Sequence, residues 1–284
     1  MASLREYWSM TEGVFNCLID EERTAAFKAA IEKTVRRGDV VVDAGSGTGV
    51  MAMFAADAGA KIVYALEFDE NNIKVLQKIF SANGYGDRIQ VIQGDATTLK
   101  LPENVDVIVC EMIATGLIEE LQVPVMNNML RHVNPGYRVV LEQYHCHAEL
   151  VHQQNIYYGK TFDLLRYEYP DIESLRSTIL SNRITYKRVD FSQPVSDNRV
   201  AARLEFTAAV GGSVNGLRLS ATTLFCGGGN FGYSFAYSYP IILPLEEFAV
   251  NLGDSVLVDI GYGMCEGLGS LHYAVAQGNP TVEA

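Results

Sequence analysis

Three carboxylates follow a single strand-like run. Glu111 comes directly after Asp106-Val107-Ile108-Val109-Cys110, and Glu119 and Glu120 follow beyond Gly116. A carboxylate that ends a nearly apolar strand is costly unless it is paired or used. Two carboxylates brought together from a strand end and a loop can grip a planar cation such as guanidinium through paired hydrogen bonds. Glu119 and Glu120 can equally open a helix and complement its dipole, and the residues alone leave both readings open.

A second group is Val40-Val41-Val42-Asp43-Ala44-Gly45-Ser46-Gly47-Thr48-Gly49, followed by helix-forming Met51-Ala52-Met53-Phe54-Ala55-Ala56. A strand, a glycine turn and a helix start place a nucleotide-like ligand against a helix N-terminus. Glycine lets the ligand come close to the backbone because it has no Cβ. The further glycine of the dinucleotide fingerprint is missing, since Val50 and Met51 stand next. Glu67 ends the run Lys61–Leu66, and Phe68 follows it. An acid about twenty residues after such a turn can hold ribose hydroxyls. The combination reads as an S-adenosylmethionine site ahead of a NAD site. Asp43 would orient the turn or a water near the methionine part. Asp95, in Gln93-Gly94-Asp95-Ala96, can accept from an adenine amino group or close an Asx turn.

These residues need a scaffold. Strands are expected near 40–43, 62–67, 89–92, 106–110 and 137–142, and helices near 50–58, 70–82 and 117–132. Such alternation predicts a parallel sheet flanked by helices, with ligands at the carboxyl ends of its strands. Before it, Asp20–Ile31 predicts an amphipathic helix with acids in its first turn. After about residue 140 the alternating, aromatic segments and glycine turns predict antiparallel β structure, a barrel or sandwich. Within it only 160–183 looks helical. The expected division is therefore 1–34, a helical segment capping the cofactor site; 35–143, a Rossmann-like S-adenosylmethionine domain; and 144–284, a β-rich substrate and dimerisation domain with a short helical arm at 160–183.

The net charge of −12 disfavours nucleic acid and anionic membrane and suits basic or neutral partners. Five scattered cysteines without a CxxC pair read as reduced thiols in a cytoplasm-like compartment. His145, Cys146 and His147 are adjacent, so on a strand they point to alternating faces and cannot converge on a metal; no metal is expected. No apolar h-region or membrane span stands out, so a cytoplasmic location is expected.

The chain resembles the protein arginine methyltransferase family of class I S-adenosylmethionine-dependent enzymes. The resemblance rests on Asp20–Phe27, on Val42–Gly49 with Met53–Ala60, on Glu111 with Glu120 nine residues later, and on Pro244–Phe248 through Gly253-Asp254. It implies that Arg23 binds the cofactor's methionine carboxylate, that Glu67 holds the ribose, and that Glu111 with Glu120 forms the family's glutamate pair. It also implies a homodimer joined through an arm of the barrel. The family's Trp-Met-Gly-Tyr is replaced by Met112-Ile113-Ala114-Thr115, and Thr97 stands where an adenine-side glutamate is usual. No histidine occurs near Phe235-Ala236-Tyr237, where the family has Thr-His-Trp. Glu119 competes with Glu120 because the segment is short.

The resulting expectation is a guanidino N-methyltransferase acting on an arginine side chain, free arginine or a small guanidino metabolite. The alternative is O-, N- or C-methylation of a non-guanidine molecule. Arg23, Asp43, Gly45, Ser46, Gly47, Thr48, Gly49, Glu67, Phe68, Asp95, Ala96 and Glu111 would hold the cofactor, which leaves as S-adenosylhomocysteine. Glu111, Glu120 and Glu119 would be catalytic, and Trp8, Met112 and Tyr237 would line the substrate pocket.

Overall fold

The computed structural model describes residues 12–276 except 170, 171 and 235. Trp8 and Phe235 lie outside the described residues. Helix α1 (Glu12–Ile19) leads into α2 (Glu21–Thr34), whose N-cap is Asp20. The Asp20 side chain accepts from Arg23 N at 3.1 Å, satisfying one of the helix's free N–H groups. The acidic stretch read from sequence is thus a cap plus a first turn with Glu21 and Glu22.

Five strands form a wholly parallel sheet: β1 (Val40–Ala44), β2 (Ile62–Glu67), β3 (Ile89–Gln93), β4 (Val105–Cys110) and β5 (Val133–Val139). Their order is β3-β2-β1-β4-β5. All five residues of β1 are buried, as expected for a β-branched run covered on both faces. The order reverses between β1 and β4, so the ends of these neighbours border the crevice where such sheets take ligands. Helices α3 (Val50–Asp57), α4 (Glu70–Ala82) and α5 (Gln122–Met129) provide connections.

Two boundaries differ from expectation. The helix expected over 117–132 begins only at Gln122, because Gly116 and Leu117 adopt left-handed conformations (φ 69° and 57°) and end a short 3-10 turn, Thr115–Leu117. Glu119 and Glu120 therefore stand in the loop before α5, not in its first turn. The strand expected over 137–142 is instead the end of β5 and, after Val140, the start of β6 (Leu141–His152).

From β6 onward the pairing is antiparallel. β7 (Ile156–Tyr157) and β8 (Lys160–Thr161) form a hairpin; β9 (Arg166–Tyr167), β10 (Thr178–Ile179) and β11 (Ile184–Asp190) follow. Next come β12 (Arg199–Thr207), β13 (Gly212–Phe225), β14 (Asn230–Phe231), β15 (Ile241–Val250), β16 (Ser255–Gly263) and β17 (His272–Val275). The main path is β10-β6-β13-β15-β9, and β12-β16-β17 forms a separate sheet. Among the described residues these sheets do not close into a barrel.

The helical reading of 160–183 is corrected. Its described residues hold short strands and one 3-10 turn, Glu173–Leu175. Long-range bonds override local propensity here. β9 pairs with β15, β10 pairs with β6, and buried Arg218 donates to Glu168 at 2.6 Å and to Glu149 at 2.7 Å. On β6, His147 places its two ring nitrogens 3.0 Å from the Thr185 and Thr222 hydroxyls, a structural use of the ring.

One contiguous hydrophobic core joins both halves. Phe27 of α2 meets Phe225 edge-on at 5.0 Å and Tyr237 at 6.0 Å. The helix that carries Arg23 is thereby anchored on the antiparallel half.

Candidate active site

The glycine turn is built by its backbone. Gly45, Gly47 and Gly49 have φ of 79°, 54° and 78°, a region costly for residues with a Cβ. A Cβ on Gly45 would lie 3.1 Å from Met112 Sδ, one on Gly47 3.2 Å from Val14 Cγ1, and one on Gly49 2.5 Å from the Phe80 ring. Gly45 N and Ser46 N both donate to Leu66 O, at 3.2 and 2.9 Å. The turn is thus tied to the end of β2, beside Glu67. Thr48 completes it, and Gly49 caps α3 without any side-chain bond.

Glu67 is held at both oxygens. Oε1 accepts from Phe68 N at 2.7 Å and Asp69 N at 3.0 Å, and Oε2 accepts from Asn72 Nδ2 at 2.8 Å. Asn72 also donates to Gly47 O at 2.7 Å, so one amide braces the acid against the turn. Asn72 was not singled out from sequence; its place in the first turn of a helix just after the acid was the available signal. The Phe68 ring is more than half exposed beside it.

Asp43 is buried, its Oδ2 finds no partner among the described residues, and burial pushes its carboxyl up to about 7. Asp95 closes the turn that its sequence allowed: Oδ1 accepts from Thr97 N at 2.9 Å and Thr97 Oγ1 at 2.6 Å. Ala96 O accepts from Asn128 Nδ2 at 3.0 Å, which fixes this loop to α5.

Arg23 and Glu111, 88 residues apart in sequence, form a buried ion pair. Arg23 Nη1 also donates to Cys17 O at 3.0 Å, while Nε finds no partner among the described residues. Its guanidinium lies 5.5 Å from the Phe27 ring centroid and 6.0 Å from that of Tyr237, within cation–π range. Burial lowers the Arg23 pKa, but the Glu111 charge and hydrogen bond, with smaller contributions from Cys17 and Tyr237, together outweigh it, so the net direction is up. The same surroundings push the Cys17 thiol up to about 12, chiefly by burial and then by Glu111. Such a thiol is inert.

The two later glutamates part ways. Glu119 Oε2 accepts from Tyr167 Oη at 2.5 Å. The Glu120 carboxyl is held well above the usual range, by burial first and then by the Glu111 charge, with Arg23 opposing. Glu111 and Glu120 therefore share one electrostatic site. Gln122, fully buried, steadies the strand end: its Oε1 accepts from Met112 N at 2.8 Å and its Nε2 donates to Cys110 O at 3.2 Å. A glutamine among apolar residues at a helix start was the signal for it.

Tyr237 is buried, with its hydroxyl 2.5 Å from Thr223 Oγ1 and its ring against Phe27 and Phe231. Asp20 reaches the same loop, accepting from Ser234 Oγ and from Ala236 N at 3.0 Å. Nothing in the sequence near Asp20 or Tyr167 announced these partners.

A small organic cation with a carboxylate and a ribose fits this arrangement. The glycine cradle leaves no room for side chains, Asp43 presents an unpartnered buried oxygen, and Arg23 presents an unpartnered buried N–H. Among the described residues no cluster of His, Cys, Asp and Glu could hold a metal, and no helix is long and apolar enough to cross a membrane.

Residues 22–141 match the family model of ribosomal protein L11 methyltransferase (PrmA). An uncharacterised protein of Methanocaldococcus jannaschii is 30% identical over 237 residues, covering 82% of this chain and 85% of the relative. The probable histone-arginine methyltransferase CARM1 of Oryza sativa subsp. indica is 28% identical over 242 residues, covering 75% of this chain and 45% of the relative. The chain thus spans less than half the length of that plant relative. Among solved structures, the Trypanosoma brucei PRMT1 enzyme–prozyme heterotetrameric complex with AdoHcy matches with a TM-score of 0.81 at 18% identity, over 96% of this chain and 95% of that one. The chain belongs to one family with the Methanocaldococcus jannaschii protein, and it is similar in sequence to arginine methyltransferases and in fold to PRMT1, class I enzymes whose methyl-donor cofactor is S-adenosyl-L-methionine.

Proposed function

We propose that the protein methylates a guanidino nitrogen, on an arginine side chain, free arginine or a small guanidino metabolite. The observation that carries this reading is a guanidinium, that of Arg23, already paired with the Glu111 carboxylate, while Glu120 feels the same charge. A site that satisfies one buried guanidinium has the chemistry to recognise another. Bound S-adenosylmethionine supplies an activated methyl group, so the chain's contribution is alignment and electrostatics.

In this reading Glu111 and Glu120 hold the guanidinium and draw its charge away from the nitrogen that accepts the methyl. Glu119, engaged by Tyr167, stands behind the pair. Arg23 takes the cofactor's methionine carboxylate, Asp43 and the Gly45–Gly49 turn face its cationic part, and Glu67 takes the ribose. Phe68, Asp95 and Ala96 lie toward the adenine, and Met112 and Tyr237 belong to the acceptor side. The net charge of −12 favours a basic acceptor. The histidine-free loop around Tyr237 tilts the choice toward a small molecule.

Methyl transfer from labelled S-adenosylmethionine tests this reading, with arginine, small guanidino compounds and Arg-rich peptides as acceptors. Incorporation into at least one guanidine is expected. Transfer to a non-guanidine metabolite alone would replace the reading with the alternative chemistry.

We infer further that two copies associate through the β7–β8 hairpin. Ile156 is 56% exposed, Tyr158 100% and Leu164 61%, an apolar projection that water does not favour. Light scattering should show a dimer that the double variant Tyr158→Asp/Leu164→Asp converts to monomer. A wild-type monomer at micromolar concentration would refute the association.

A further inference from the structure

The five residues Ala114–Ile118 lie in the connection between Glu111 and the Glu119–Glu120 pair, and each is bonded to the antiparallel half. Ala114 O accepts from Tyr144 Oη at 3.2 Å, and Gly116 O accepts from Tyr262 Oη at 2.8 Å. Leu117 O accepts from Cys265 N at 2.7 Å, and Ile118 O from Gly267 N at 2.8 Å. The Thr115 hydroxyl donates to Tyr239 O. Tyr144 Oη also lies 2.8 Å from Ser238 Oγ.

Backbone strain collects at the same place. The described chain has four non-glycine residues with left-handed φ: Leu117 (57°), Ser238 (48°), Cys265 (63°) and Tyr158 (53°). Three of them belong to this junction, and only Tyr158, in the exposed hairpin, does not. Each such residue costs on the order of 1–3 kcal/mol and persists only where its surroundings over-determine it. Here the surroundings are the Cys265 N–Leu117 O backbone bond, the Tyr144 hydroxyl beside Ser238, and the Tyr262 hydroxyl on the neighbouring Gly116 O. A Cβ on Gly116 would lie 3.1 Å from Tyr262 Oη, so the turn is fitted closely to that hydroxyl.

We propose that Tyr144 and Tyr262 are positioning residues for methyl transfer: their hydroxyls hold the Ala114–Ile118 turn and thereby set the spacing between Glu111 and Glu120. The proposal rests on the reading of those glutamates as the guanidinium clamp. It gives the antiparallel half a task besides shaping a substrate pocket, since that half builds the loop carrying the carboxylates. Tyr186 supplies an internal control, because its hydroxyl lies 3.1 Å from Tyr262 Oη and bonds no part of the turn.

The test compares Tyr144→Phe, Tyr262→Phe and Tyr186→Phe, each of which keeps the ring and removes one hydroxyl. With a guanidine acceptor, kcat should fall tenfold or more in Tyr262→Phe and Tyr144→Phe and less than threefold in Tyr186→Phe. S-adenosylhomocysteine affinity should stay within twofold in all three. Equal losses of kcat, cofactor affinity and melting temperature across the three variants would mean that the tyrosines merely stabilise the fold, and would overturn the proposal. So would unchanged kcat in Tyr262→Phe. A second readout needs no turnover: carbon NMR of glutamate carboxyls, with the Glu120 signal assigned through Glu120→Gln. In Tyr262→Phe the Glu120 titration should move to lower pH as the two carboxylates separate. An unmoved titration would overturn the positioning role, whereas a wild-type enzyme inactive on every guanidine would overturn only the clamp reading.

Discussion

Glu111→Gln should lower methyl transfer to a guanidine by about two to three orders of magnitude, the scale seen when one preorganised electrostatic partner is removed from a transition state. The substitution keeps shape and one acceptor oxygen but removes the charge. Its second effect is on stability. Glu111 and Arg23 are buried together, with side chains 9% and 6% exposed. Breaking such a pair leaves an uncompensated charge and costs about 3–5 kcal/mol. Turnover must therefore be measured at a temperature where circular dichroism shows the variant folded, alongside calorimetry with S-adenosylhomocysteine. Near-normal turnover in a folded, cofactor-binding variant would rule out the carboxylate clamp.

Gly49→Ala should destabilise the protein by about 2–4 kcal/mol, adding the left-handed backbone cost to that of overpacking. The new methyl group would come within 2.5 Å of two Phe80 ring atoms and 2.9 Å of Leu76 Cδ2, all on the buried face of α4. Gly84→Ala is the comparison. Its φ is +79°, yet nothing lies within 4 Å of its added Cβ, so only the backbone cost of about 1–2 kcal/mol applies. Urea unfolding of both variants separates the two contributions. Equal midpoints would show that the contact with α4 yields freely. Because Gly49 opens α3 at the cofactor cradle, its alanine variant should also lose S-adenosylhomocysteine affinity, while Gly84→Ala should not.

Local signals made the parallel half legible. A β-branched run, glycines at alternate positions and an acid after the next strand are short-range patterns, and each lies at a strand end in the structure. The individual positions of Arg23, Glu67 and Glu111 were readable for the same reason. Their partners were not. Arg23 meets Glu111 across 88 residues and Asp20 meets Ser234 across 214, separations that no spacing rule reaches. Local patterns also misled at 160–183, where pairing with β6 and β15 and the bonds of Glu168 to Arg218 and Ser177 prevail over the residues' own preferences. The Glu119–Glu120 ambiguity turned on two left-handed residues, Gly116 and Leu117. Leucine gives no hint of that conformation, which its contacts with the antiparallel half impose.

The central claim is that Glu111 and Glu120 bind a guanidinium as a charged pair. Burial and the Glu111 charge hold Glu120 well above the usual carboxylate range, so in the free site it keeps its proton to a higher pH. An arriving cation favours the ionised form. Binding should therefore release a proton at pH values between the bound-site and the free-site pKa, and affinity should rise as pH rises through that range. Calorimetric titration of the S-adenosylhomocysteine-loaded enzyme with its guanidine acceptor, in two buffers of different ionisation enthalpy at several pH values, measures this directly. The account predicts proton release that declines toward high pH and disappears in Glu120→Gln. Binding without proton release at any pH, or release unchanged in Glu120→Gln, would contradict it.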